Sequence, residues 1–99
     1  MDITTTPANG KILIDIPNSF DVMTSPHIKK ALNEAVSVAD EIELDFSKTE
    51  LLTSAGLRVL LQAHKSIQAL GKKITMKNIS PDVMEIFDMT NLTKTFDII

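Results

Sequence analysis

The chain has no cysteine, no tryptophan and no tyrosine, and four phenylalanines supply all of its aromatic rings. Without cysteine there is no disulfide framework, no thiol nucleophile and no cysteine-based zinc site. Long apolar runs are missing too. No segment approaches the ~20 residues that cross a bilayer, and residues 1–10 have neither the basic start nor the apolar stretch of a signal peptide. A basic excess is also absent: ten Lys and Arg against thirteen Asp and Glu leave a formal charge of -3. That balance argues against a nucleic-acid or anionic-membrane partner, since both demand a basic face to meet phosphates. There is no glycine-rich phosphate loop, no serine nucleophile elbow and no helix with paired histidines around a glutamate. His27 and His64 fall on separate predicted helices, without a second ligand at metal-binding spacing. The expectation is therefore no catalytic residue, no metal, no cofactor and no membrane insertion, with a protein as the partner and the cytoplasm as the setting.

What remains is an ordinary globular composition, 43% apolar and 23% charged over 99 residues, which suits one domain spanning residues 1–99. Residues 2–6 form a predicted strand, and Pro7-Ala8-Asn9-Gly10 supplies a hairpin turn. Residues 11–16 follow as a strand with Ile12, Ile14 and Ile16 on one face. Ser25 before Pro26 reads as an N-cap and first helical residue. That helix runs to about residue 39, with Ile28, Ala31, Leu32, Ala35, Val36 and Ala39 as its buried stripe. Ile42, Leu44 and Phe46 then alternate with Glu41, Glu43 and Asp45, the pattern of a strand with one solvated face. A second helix spans about residues 54–70 and stops at Gly71. Its apolar arc is broad, from Leu57, Val59, Leu60 and Leu61 to Ala63, Ile67 and Leu70, and His64 within it reads as a satisfied core or boundary histidine. Residues 72–77 form a strand around Ile74 and Met76. Ser80-Pro81 opens a short helix with Val83, Ile86 and Phe87 on one face, and Phe96 and Ile98 mark a last strand. Met76, Met84 and Met89 read as core filling. Strands and helices alternate after the first hairpin, which predicts an α/β fold: a small mixed β-sheet with its helices mainly on one face.

The pivotal stretch is Leu51-Leu52-Thr53-Ser54-Ala55-Gly56-Leu57-Arg58, where a strand pattern gives way to a helix pattern. Ser54 sits at the joint. Its hydroxyl can cap the new helix by accepting from an unpaired backbone N–H. A phosphate is also best tolerated there, because unpaired N–H groups and the positive end of the helix dipole both favour an anion. Gly56 has no side chain, so another molecule can approach its backbone. By its residues alone, Ser54 is a helix cap and Asp21 a loop residue near a helix start.

Asp45-Phe46-Ser47, followed by Leu52-Thr53-Ser54-Ala55-Gly56-Leu57-Arg58-Val59-Leu60, resembles the signature of the STAS domain family, in particular its stand-alone bacterial anti-sigma-factor antagonists. Phe20-Asp21 before a helix, Ile79-Ser80-Pro81 with Ile86-Phe87-Asp88-Met89, and Asn91-Leu92 resemble further segments of that family in the same order, covering about residues 10–99. The resemblance implies a non-enzymatic partner switch. It places the phosphorylated serine at Ser54 and the acidic residue near it at Asp21. The partner surface falls on Asp21, Thr53, Ser54, Ala55, Gly56 and Arg58. It also implies two partners, an anti-sigma factor that is itself a serine kinase and holds the ATP, and a serine phosphatase. Apart from the resemblance, a monomer is the expected state. Two departures stand out. Thr53 occupies a position where members often carry Asp, which removes a carboxylate and adds a second hydroxyl, and the sequence stops at Ile99 where many members continue into a further helix. Two other classes remain open: a STAS subunit of a membrane lipid-transport complex that binds a transporter ATPase, and a small-ligand or nucleotide-binding module.

Overall fold

The computed structural model describes residues 2–99. Seven strands, β1 (Thr5–Ala8), β2 (Lys11–Asp15), β3 (Ser19–Phe20), β4 (Glu41–Asp45), β5 (Leu51–Leu52), β6 (Lys73–Lys77) and β7 (Asp97–Ile98), are threaded with three helices, α1 (Ser25–Val38), α2 (Ser54–Ala69) and α3 (Pro81–Met89). The main sheet has the order β1-β2-β4-β6-β7; β1 is antiparallel to β2 and the other neighbours run parallel. This is the predicted mixed sheet. β3 and β5 form a separate two-residue parallel ladder just beyond the carboxyl ends of β2 and β4.

The core follows from the alternation in the strands. Ile14, Ile42, Leu44, Ile74 and Met76 are buried on one face, and α1 and α2 lie over it, packed against each other and against β2, β4 and β6. α1 contributes Ile28, Ala31, Leu32 and Ala35, and α2 contributes Val59, Leu60 and Ile67. α3 closes the core beside β5, where Phe87 meets Phe46 and Phe96 edge-on, at centroid separations of 6.3 and 5.3 Å.

Several local expectations move. The hairpin turn is the two-residue Asn9-Gly10, both with positive φ (52° and 84°), as the right-handed twist of a tight hairpin requires. Pro7 and Ala8 belong to β1 instead, where the edge position makes the missing N–H of Pro7 harmless. Ser25 is not the N-cap of α1. Thr24 holds that position and Ser25 is the first helical residue, its hydroxyl donating back to the Asp21 carbonyl. The arc on α2 is narrower than expected, because Leu70 lies past the last turn and is 61% exposed. Met89 is likewise exposed rather than core filling, and Met84 is half-buried; Met76 alone of the three is sealed in. The face of β4 that carries Glu43 is not simply solvated. Lys11 from β2 and Lys77 from β6 reach the two oxygens of Glu43 at 2.7 and 3.1 Å. Glu43 is left 3% exposed, and the hydrogen bond from Lys11 holds its carboxyl below the usual glutamate range against the opposing effect of burial. His64 is buried, but its Nε2 has no hydrogen-bond partner among the described residues; the ring packs edge-on to Phe96 at 5.5 Å instead.

Candidate functional site

The short β3–β5 ladder builds the site. Ser19 pairs with Leu51 and Phe20 with Leu52, so Asp21 and Thr53 leave the two strands side by side at the carboxyl end of the sheet. The loops that lead there are tied together. The buried Thr49 donates its hydroxyl to the Pro17 carbonyl at 2.9 Å, and the Glu50 N–H donates to the Asn18 carbonyl at 2.8 Å.

Thr53 remains extended (φ -99°, ψ 175°) and is the residue that precedes α2. It spends both its donors on one acceptor: its N–H reaches the Phe20 carbonyl at 3.0 Å and its hydroxyl reaches the same oxygen at 3.3 Å. Ser54 therefore starts the helix instead of capping it, which corrects the expected role of its hydroxyl. Ser54 is exposed, and its side chain makes no hydrogen bond among the described residues. No acidic residue lies in the first turn of α2 and no side chain caps it, so its leading N–H groups remain available to an anion.

Gly56 is a second correction. A Cβ at this position would stand 2.7 Å from the Phe20 carbonyl oxygen and 2.7 Å from Leu52 Cδ1. The close approach that glycine permits is thus made inside the chain, by β3 and β5, and Gly56 is buried. It presents no surface to a partner. Its effect is to let the first turn of α2 sit directly on the Phe20 carbonyl that also anchors Thr53.

Asp21 is more than a loop residue. Its carboxylate accepts from the Ser19 hydroxyl at 2.6 Å and from the N–H groups of Met23 and Thr24 at 2.9 and 3.0 Å. The Ser19 hydroxyl, followed by the Thr24 N–H, holds the Asp21 carboxyl below the usual aspartate range. Thr24 completes the knot by accepting from the Asp21 N–H at 3.0 Å and donating to the Ser19 carbonyl at 2.8 Å. Asp21 is thereby an ionised anchor for the start of α1. Ala55 is half-buried and Arg58 exposed on α2. Sequence reasoning missed three neighbours in the chain: Val22 and Met23, 71% and 77% exposed beyond Asp21, and Leu51, 52% exposed on β5. The signal was an apolar pair between a strand end and a helix start, where nothing in the periodicity assigns it to a core.

Comparison with known proteins settles the family. The STAS domain profile matches residues 2–99. The chain belongs to the STAS domain family. This STAS domain is 25% identical over 91 residues to the anti-sigma F factor antagonist of Paenibacillus polymyxa, covering 90% of this chain and 78% of the relative. It is 23% identical over 87 residues to the anti-sigma-B factor antagonist of Bacillus subtilis, covering 88% and 80%. Among solved structures it superposes on the anti-sigma factor antagonist SpoIIAA in its unphosphorylated form with a TM-score of 0.81 at 16% identity, covering 98% of this chain and 87% of that one. The phosphorylated form of Bacillus SpoIIAA gives 0.77 at 15% identity, covering 98% and 90%. At these identities the superpositions speak to the fold. Among the described residues no three His, Cys, Asp or Glu side chains gather as a metal site, and no helix is long and apolar enough to cross a membrane.

Proposed function

We propose that this STAS domain, acting as one unit over residues 1–99 and as a monomer in the cytoplasm, is an anti-sigma-factor antagonist in a phosphorylation-controlled partner switch. In the unphosphorylated form Ser54 and its surroundings dock on an anti-sigma-factor serine kinase, which then releases what it holds. Phosphorylation of Ser54 by that kinase ends the docking, and a serine phosphatase restores it. Asp21, Thr53, Ala55 and Arg58 belong to the docking surface, with Gly56 supporting it from inside. Val22, Met23 and Leu51 extend the surface with exposed apolar area.

The observation that carries this reading is an exposed serine hydroxyl, without an internal partner, at an uncapped helix start. A kinase can reach it, and the phosphate it receives adds about -1.5 to -2 charge where the helix end favours an anion. The modified domain stays folded. The penalty falls on association, because a doubly charged group must be desolvated against a surface that had packed around a hydroxyl. Names carried by the relatives, antagonists of anti-sigma factors, support the choice of partner.

The test is to measure affinity for the cognate anti-sigma kinase by calorimetry with the wild type, the Ser54→Asp variant and the phosphorylated protein, following amide NMR shifts in each. Phosphate should map to Ser54 by mass spectrometry, and affinity should fall at least tenfold, about 1.4 kcal/mol, with shifts confined to residues near Asp21 and Ser54. Modification at Thr53 alone, or unchanged affinity, would sink the reading. Shifts spread through the sheet and α3 would replace a local charge effect by a conformational one.

A further inference from the structure

The two helices over the sheet leave a groove between them that the Ser54 switch does not use. It is a cavity of about 350 Å³ walled by Leu32 and Val36 of α1, by Val59, Ala63 and Ile67 of α2 and by Leu70 just past its end, with the polar side chains of Asn33, Gln62 and Ser66 also in the lining. Small-ligand sites are of this size, lie between helices, and are apolar with a few placed polar groups. The floor is well ordered by packing, with Leu32, Val59 and Ile67 buried in the core cluster. At the far end Leu70 is exposed. The short side chain of Ala63 leaves space on α2 that a larger residue would fill.

The charge distribution gives this groove a direction. Both helices follow parallel strands and precede the next, so they run the same way, with Lys29 and Val59 toward one end of the groove and Val36 and Leu70 toward the other. Lys29 is the one charged residue in the lining, where no carboxylate is present. Lys72, past the end of α2, is already committed, its Nζ donating to the Val36 carbonyl at 2.6 Å with Asp40 at 3.8 Å. A trough lined by six apolar residues, with Asn33, Gln62 and Ser66 among them and one cation at one end, complements a molecule with an anionic head and an apolar tail. From Val59 to its end at Ala69 α2 rises about 15 Å, the reach of a medium-chain acyl group.

We propose that the groove between α1 and α2 binds a free medium-chain fatty acid, its carboxylate at Lys29 and its tail laid along Val59, Ala63 and Ile67 toward Leu70. Apolar contact supplies the affinity and Lys29 sets the orientation.

The experiment titrates the full chain, isotopically labelled, with monomeric decanoate, with decanol, and with vesicles of anionic phospholipid, reading amide shifts. Saturable decanoate shifts at Leu32, Val59, Ala63 and Ile67 are expected. Lys29→Glu should weaken decanoate at least tenfold and leave decanol within twofold, and vesicles should produce no binding. Ala63→Phe should abolish binding of both small ligands while the spectrum stays dispersed; Ser66→Phe serves the same end if that variant does not fold. Absence of saturable binding, shifts mapping outside the groove, or equal loss of acid and alcohol on Lys29→Glu would each overturn the proposal. So would undiminished binding by a folded groove-filling variant, or association with vesicles in place of the monomeric acid.

Discussion

The starts of α2 and α3 each carry a serine, and the two serines do opposite things. At α3, Ser80 is extended (φ -66°, ψ 157°), Pro81 follows as the first helical residue, and the Ser80 hydroxyl accepts from the Val83 N–H at 3.2 Å. Asp82 in the first turn adds a favourable charge at the positive end of the helix. That start is complete within the domain. At α2 the extended residue is Thr53, its hydroxyl is turned to the Phe20 carbonyl, and Ser54 is already helical with its own hydroxyl exposed. A one-residue shift in helix register separates a structural serine from one offered to solvent. The proline decides it at α3, because its fixed φ and missing N–H suit the first helical position. At α2 the decision is made by β3, whose carbonyl takes both donors of Thr53.

The largest expected effect comes from the contact that sets the α2 register. Gly56→Ala forces a methyl group against the Phe20 carbonyl and Leu52, both at 2.7 Å. Overpacking of this kind costs about 1 to 3 kcal/mol, and thermal melting should show it as a drop of several degrees or more. The same variant should lose affinity for the anti-sigma kinase beyond what instability explains, since the Ser54 turn can no longer sit on β3; a stable Gly56→Ala protein would break the comparison outright. Next is Ser80→Ala, where loss of a working N-cap should cost about 0.5 to 2 kcal/mol in denaturant unfolding.

Asp21→Asn tests the neighbouring start of α1 through pH. The folded carboxyl is held below its ordinary value, so the unfolded state binds the proton more readily. The stabilisation from Asp21 is therefore complete above the ordinary value of about 3.9 and is lost as pH falls through the lower folded value. Melting temperature followed from pH 6 downward should decline more steeply below about pH 4 in the wild type than in Asp21→Asn. Parallel curves would show that the Ser19 and Thr24 contacts do not favour the charged form. Smallest of all, Ser54→Ala should change stability by less than about 0.5 kcal/mol, as expected for an exposed side chain without a structural bond. A loss equal to that of Ser80→Ala would mean that the two starts are built alike.

The elements of this fold were legible because their signals are local. Alternation in residues 42–46, the three-and-four spacing of Ile28, Ala31, Leu32 and Ala35, and the Ser80-Pro81 pair each carry their own physical cause, and each is found in place. The site was legible in part. Ser54 stood out as the joint between a strand pattern and a helix pattern, and Asp21 through family resemblance. Leu51, Val22 and Met23 did not, because exposure of an apolar residue depends on what fails to pack over it.

The residues themselves dictated the order of elements, the buried faces and the position of the helix starts to within a residue, since propensity, period and proline chemistry act over a few neighbours in the chain. The tertiary fold alone decided which hydroxyl is spent and which is offered. Thr53 and Gly56 owe their roles to the Phe20 carbonyl, which lies 33 positions before Thr53 in the chain. Glu43 is sealed by lysines from two other strands, and the groove exists because α1 and α2 lie side by side. These are contacts between distant segments, formed only when the parallel ladders bring β2, β4 and β6 together, and a pattern read along one stretch of chain carries no record of its partner across the sheet.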